Sequence, residues 1–176
     1  MKKTSFFYLL MAGLIIFTAC KDPVEPKPTT TGLESKSFIV EQLKDSVAGN
    51  YADYVKSENS LKCSYIVRNK TNATIQYNVS IAKLQFEPSH WITHCIGSCI
   101  LPTQMSYFAD LWDPGNSTDL VPGGQTNPEM DSYIEMWSGE SSLTCKPGIN
   151  KLKVTYTNAK DPTDFVYFTL TFNFFE

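Results

Sequence analysis

From Leu61 to the last residues of this chain, apolar and polar side chains alternate again and again. No other feature constrains the fold as much, because a period of two is the geometry of a strand with one buried face. Leu61, Cys63, Tyr65 and Val67 alternate with Lys62, Ser64 and Arg68, with Ile66 as an apolar residue on the outward side. Asn69-Lys70-Thr71-Asn72 supplies turn residues, and Ile75, Tyr77, Val79 and Ile81 then repeat the pattern, so the two runs read as a hairpin. The phase slips at Ala82-Lys83, ahead of Leu84 and Phe86, which predicts a bulge or an edge that turns to another sheet; Pro88 ends the strand. Further strands are predicted over Met130 to Ser138, at Leu152, Val154 and Tyr156, and over Phe165 to Phe174, where Val166, Phe168, Leu170, Phe172 and Phe174 form the core face of a central strand. Ile100 to Phe108 is read as a strand interrupted by Pro102, Asp113 to Pro128 as loop, and Ile39 to Val55 is left between a helical turn and an irregular strand. No apolar run of helical period competes, and about seven short strands separated by turns predict an all-β, antiparallel β-sandwich.

The amino terminus sets the compartment. Lys2 and Lys3 precede an apolar run from Phe6 to Phe17 that is too short to cross a bilayer as a helix, and the run ends at Phe17-Thr18-Ala19-Cys20. This end resembles the lipobox of bacterial lipoproteins, with Phe17 where leucine is usual. The resemblance implies a signal peptide over 1–19, cleavage before Cys20 and a diacyl lipid on that cysteine. Residues 20–32 hold the lipidated cysteine and a Pro/Thr-rich linker of extended geometry, and 33–176 is expected to be one folded domain. Lys21-Asp22 also resembles the signal that carries some Bacteroidota lipoproteins to the outer leaflet. An outer-membrane lipoprotein, periplasmic or surface-facing, is therefore expected.

The chain has 176 residues and a formal net charge of −3, with no basic stripe, which argues against nucleic acid as a partner. It is long enough for one domain. With Cys20 given to lipid, Cys63, Cys95, Cys99 and Cys145 remain, an even number in an oxidising compartment, so disulfides are the expected use. Three connectivities are open. Cys95 and Cys99 can close a small loop for roughly 2 kcal/mol, leaving Cys63 with Cys145 to close a long one for about 4 to 5 kcal/mol.

The strand from Ile75, the Pro122-Gly123 turn before the strand at Met130, and Asp161-Pro162 before Phe165 to Phe174 together resemble the immunoglobulin-like or fibronectin-like modules of secreted Bacteroidota proteins. That resemblance implies an immunoglobulin-like sandwich and says little about activity. The Trp91 to Cys99 segment, Cys145 and the long Asp113 to Pro128 insertion lie outside its pattern.

One segment is dense in reactive groups: His90, His94, Cys95 and Cys99, with Met105 close behind. Imidazole, thiolate and thioether suit copper or zinc, and the Cys-x3-Cys pair with a nearby His is similar to the motif of Sco-type copper chaperones, which carry it on a fold of alternating strands and helices that this chain lacks. With both cysteines bridged, the segment is structural, because a disulfide sulfur is a poor ligand. Both histidines fall in what reads as a single loop, and no catalytic or phosphate-binding motif is present, so neither enzymatic activity nor a cofactor is expected. Asp110, Asp113, Asp119, Glu129 and Asp131 match no calcium loop. Among the aromatic residues Trp91, Tyr107, Phe108, Trp112, Tyr133 and Trp137, Trp112 beside the long loop is the one expected to be exposed and available to a glycan. The expected function is that of a non-catalytic interaction or scaffolding module, anchored at the membrane by lipid, with a protein or a glycan as its partner. The alternatives are a metal-handling or redox lipoprotein and a surface glycan-binding module.

Overall fold

The structure is a computed structural model that describes residues 33–54, 59–96, 98–127, 131–139 and 146–176. The signal peptide, Cys20, the linker, Met130 and Cys145 lie outside the described residues. The strands in chain order are β1 (Phe38–Glu41), β2 (Ser46–Asn50), β3 (Leu61–Asn69), β4 (Ile75–Gln85), β5 (Trp91–Ile96), β6 (Ser98–Cys99), β7 (Thr103–Gln104), β8 (Leu111–Trp112), β9 (Thr118–Leu120), β10 (Ser132–Trp137), β11 (Gly148–Asn158) and β12 (Asp161–Phe175), with a short 3-10 turn at Tyr51–Tyr54.

They form two sheets. One runs β1-β3-β10-β5-β6, with β7 also on β5, and the other runs β2-β12-β11-β4-β8, with β9 also on β4. This is an antiparallel immunoglobulin-like β-sandwich: four strands in the order first, second, fifth and fourth face a sheet built from the third, sixth and seventh. The first strand is split. Its first half, β1, pairs antiparallel with β3, and its second half, β2, crosses to the other sheet and runs parallel to the end of β12, with Ser46 beside Thr171 and Asn50 beside Phe175. The crossing begins at Gln42, which takes the left-handed backbone conformation at φ 49°.

The alternation predicted the inward faces. Leu61, Cys63, Tyr65 and Val67 of β3 meet Tyr77, Val79 and Ile81 of β4, Leu152, Val154 and Tyr156 of β11, and Val166, Phe168, Leu170, Phe172 and Phe174 of β12 in one core. At its centre the Tyr65 ring lies edge-on to Phe168 at 4.5 Å and to Tyr156 at 6.2 Å. Burial pushes both phenols well up from their ordinary range. The predicted bulge is at Leu84: Lys151 pairs with Gln85 and Leu152 with Lys83, so Leu84 has no opposite number and its side chain is exposed. As expected, β12 is a central strand, between β2 and β11.

Three strand expectations need correction, the first being Asp113 to Pro128, read as loop, which contains β9 paired with Ile75 to Tyr77 of β4. Trp91 to Ile96, read as lying outside the strand pattern with both histidines in a loop, is strand β5, paired with β10 from Trp91↔Trp137 to Cys95↔Tyr133. Ile100 to Phe108 has only Thr103 and Gln104 in a strand, with irregular chain before them and a turn after, because Pro102 and the turn hydrogen bonds from Tyr107 and Phe108 N–H to the Gln104 carbonyl prevent a ladder.

The start of the described chain is fixed to the turn between β11 and β12 by buried Asp164. Its carboxylate accepts hydrogen bonds from Ser35 Oγ at 2.7 Å, Ser37 N–H at 3.1 Å and Asn158 Nδ2 at 3.2 Å. Burial pushes the carboxyl up, but the hydrogen bonds from Ser37, Ser35 and Asn158 outweigh it and hold the group below its ordinary value. A depressed carboxylate stabilises the fold above its unfolded value and loses that contribution as pH falls through the folded one. Asp164→Ala is therefore expected to cost roughly 2 kcal/mol at pH 7, measured by urea unfolding, and the gap from the wild-type chain should shrink as pH drops below the ordinary carboxylate range.

Candidate functional site: the strap across the β4 and β5 edges

Between β5 and β10 the chain leaves one sheet and closes the side of the sandwich. Residues 98–120, the edge strap, first lie on β5: Cys99 pairs with Cys95, and Thr103 and Gln104 pair with Ile92 and Trp91. They then cross to the other sheet, where Leu111 and Trp112 pair with Ala82 and Ile81, and Thr118 to Leu120 with Tyr77 to Ile75. The strap thus covers the outer edges of β4 and β5, which would otherwise present unpaired backbone groups. It ends in the predicted Pro122-Gly123 turn, made possible by φ +66° at Gly123.

Lys83 anchors the middle of the strap. The alternation of β4 turns this side chain inward, leaving it only 5% exposed. Its Nζ donates to the Phe108 carbonyl at 2.7 Å and the Met105 carbonyl at 3.3 Å, and it pairs with Asp110 at 3.0 Å. The Lys83 N–H also donates to the Asp110 carbonyl at 2.9 Å. A buried ammonium is tolerated only when partnered in this way, so a charge that would disrupt a core instead fixes the turn at residues 104–108 against the sheet.

The reactive segment is divided by the pleat of β5. His94 points into the core, and Cys95 faces outward and is bridged to Cys99, with a Cα–Cα distance of 4.0 Å. His90 is satisfied on both nitrogens: Asn150 Nδ2 lies 2.7 Å from Nδ1 and the Lys146 carbonyl 2.8 Å from Nε2, an arrangement that fits the neutral ring with its proton on Nε2. Burial lowers its basicity, partly offset by the Lys146 carbonyl and Glu87. The two histidines are four positions apart in extended chain, about 13 Å, so they do not converge on one ion. Met105 is fully buried, and its N–H donates to the His90 carbonyl. Among the described residues, no three His, Cys, Asp or Glu side chains group as metal ligands.

Cys63 is a free, fully buried thiol among the described residues, pushed up to about 12 by burial; Cys145, its expected partner, lies outside them. Trp112 departs from the exposure expected of it. It is half-buried, packs on the core and sets its ring edge-on to His94 at 4.2 Å between centroids. Phe108 is buried on the same imidazole at 6.2 Å, whereas Tyr107 is the strap aromatic that faces solvent.

His94 is the group that sequence reasoning misplaced most. It is completely buried among rings, and neither ring nitrogen has a hydrogen-bond partner. Burial alone lowers it to about 4. An imidazole at an inward strand position, followed by a cysteine facing the opposite way, was the available signal.

No family model matches this chain, and no curated protein matches it. Among solved structures, it is similar to the N-terminal domain of PorA, at 11% identity over 78% of this chain and 96% of that one, with a TM-score of 0.49. It is also similar to the ASH/PapD-like domain 7 of human CEP192 (10% identity, 81% and 87% covered, TM-score 0.40) and to a FixG-related protein from Vibrio parahaemolyticus (12%, 78% and 93%, TM-score 0.35).

Replacing His94 with leucine removes two unsatisfied buried nitrogens and is expected to raise stability at pH 7 by about 1 to 3 kcal/mol in thermal or urea unfolding. A histidine depressed by folding is protonated in the unfolded chain first, so a further, protonation-linked cost is absent above pH 6.5 and grows as pH falls toward about 4. The advantage of His94→Leu over the wild-type chain should therefore widen by roughly 3 kcal/mol across that window. Lys83→Met leaves two strap carbonyls without a donor, and amide exchange across residues 105–112 should speed up at least tenfold.

Proposed function

We propose that this chain is an exported, lipid-anchored interaction module that holds one end of an immunoglobulin-like sandwich away from a membrane. The observation that carries this reading is the placement of the two ends of the body. The described chain begins at Leu33 beside the turns that follow β3 and β11, where Glu34 pairs with Lys70 and Lys36 with Asp161. From there β12 runs from Asp161 to Phe175, roughly 45 Å at the rise of a strand. At the far end lie the β4–β5 turn, the start of β11 and the end of β12.

A tether entering at residue 33 therefore leaves the opposite end free to meet a partner. That end carries Leu84, Phe86 and Phe175 as exposed apolar side chains, with the ammonium of Lys83 4.3 Å from the centre of the Phe86 ring. Exposed aromatic and aliphatic groups of this kind anchor protein contacts when a partner desolvates them. The signal-like leader, Cys20 at its end, the Pro-rich linker and the Cys95–Cys99 bridge support an oxidising, extracytoplasmic setting.

Mass spectrometry of the mature protein from its native membranes should find a diacylated Cys20 at the amino terminus, and Cys20→Ala should move the protein to the soluble fraction. Recovery of a cytosolic, unprocessed chain would end the proposal. Leu84→Ser combined with Phe86→Ser should reduce envelope proteins captured by crosslinking at least tenfold while leaving the unfolding midpoint nearly unchanged.

A further inference from the structure

We propose that the Cys95–Cys99 bridge is a redox-active site, reduced by a protein dithiol, and that its state decides whether the edge strap stays latched to β5. Cys95 and Cys99 are direct opposites in the β5–β6 pair and lie on the outward side of their sheet. Cys99 is exposed and Cys95 is buried, so an incoming thiolate meets the Cys99 sulfur and Cys95 is the leaving side. The bridge joins residues separated by 4 positions and so removes little chain entropy from the unfolded state. Solvent-exposed bridges of this type are the reducible ones. Its loss leaves the β3–β10 and β11–β12 ladders untouched, since neither passes through it.

Beneath the latch, the strap is poorly seated at one place. On the β5 side it is held by the pairing of β6 and β7, by the Thr93 hydroxyl on the Ile100 carbonyl and by Ile100 N–H on the His94 carbonyl. Under it lies His94, with two nitrogens that water would satisfy and the interior does not. Opening this side hydrates the imidazole, so it costs less than opening a fully apolar contact. The charged groups of the elements packed nearby, Lys83 and Asp110, are paired with each other, and His90 on the approach to β5 is already satisfied. Lys83 keeps its hold on Met105 and Phe108 and serves as the hinge.

A thiolate of the partner attacks the Cys99 sulfur, the bridge breaks, and Cys95 departs as a thiolate and takes up a proton. The second thiolate of the partner then attacks the mixed disulfide, its own disulfide forms, and Cys99 is released and protonated. Two electrons and two protons pass from the dithiol to the bridge.

The test uses the full mature chain equilibrated with a thioredoxin-type dithiol protein at graded reduced-to-oxidised ratios, with thiols trapped by alkylation and assigned by peptide mass. Half-reduction of Cys95–Cys99 is expected within tenfold of an equal ratio. In the reduced chain, and in Cys95→Ser/Cys99→Ser, amide exchange at Ile100 should accelerate at least tenfold with β11 and β12 unchanged, and the His94 ring protons should titrate at higher pH. A bridge that survives a hundredfold excess of reduced partner overturns the proposal. So does a bridge that opens while strap exchange stays within twofold of the oxidised chain.

Discussion

The edge-on contact of Tyr65 with Phe168 and Tyr156 sits where the two sheets press together, and the rest of the molecule is organised around that contact. Three long, rigid side chains from β3, β11 and β12 fix the spacing of the sheets and the phase of each strand. A one-residue slip in any of the three would turn an aromatic ring to solvent and a polar residue inward. Shorter neighbours such as Val79, Val154 and Leu170 then fill the layer to core density.

A sandwich held this way still has open sides, and the chain treats them differently. At one side the first strand divides, giving β1 to one sheet and β2 to the other. At the other side the edge strap joins β5 to β4 through pieces of two and three residues. Such short pieces have little stability of their own, so Lys83 and the Cys95–Cys99 bridge supply the fixed points. The interior beneath the strap carries the molecule's one unsatisfied imidazole among the described residues, and breaches of local consistency of this kind tend to mark places that do more than hold a fold together.

Much of this was legible in the residues. Period-two patterning marked the inward faces of β3, β4, β11 and β12, the phase slip marked the bulge at Leu84, and Pro122-Gly123 marked its turn. Strand β5 was not legible, because all but the first of its residues are buried, so Thr93 and Cys95 on the outward face fail to contrast with Ile92 and Ile96 on the inward one. A histidine at an inward position looked like loop chemistry for the same reason. The burial of Trp112 follows from pairing with Ile81 across a distance in sequence that no local pattern encodes. The fate of Lys83 depended on carbonyls that only the folded strap brings near.

The split first strand also has a mechanical meaning. Ser46 to Asn50 and Thr171 to Phe175 run in the same direction. A pull between the residue-33 end and the distal tip would therefore load their ladder in shear, stretching its hydrogen bonds together, where an antiparallel terminal hairpin pulled from its open end would peel one bond at a time.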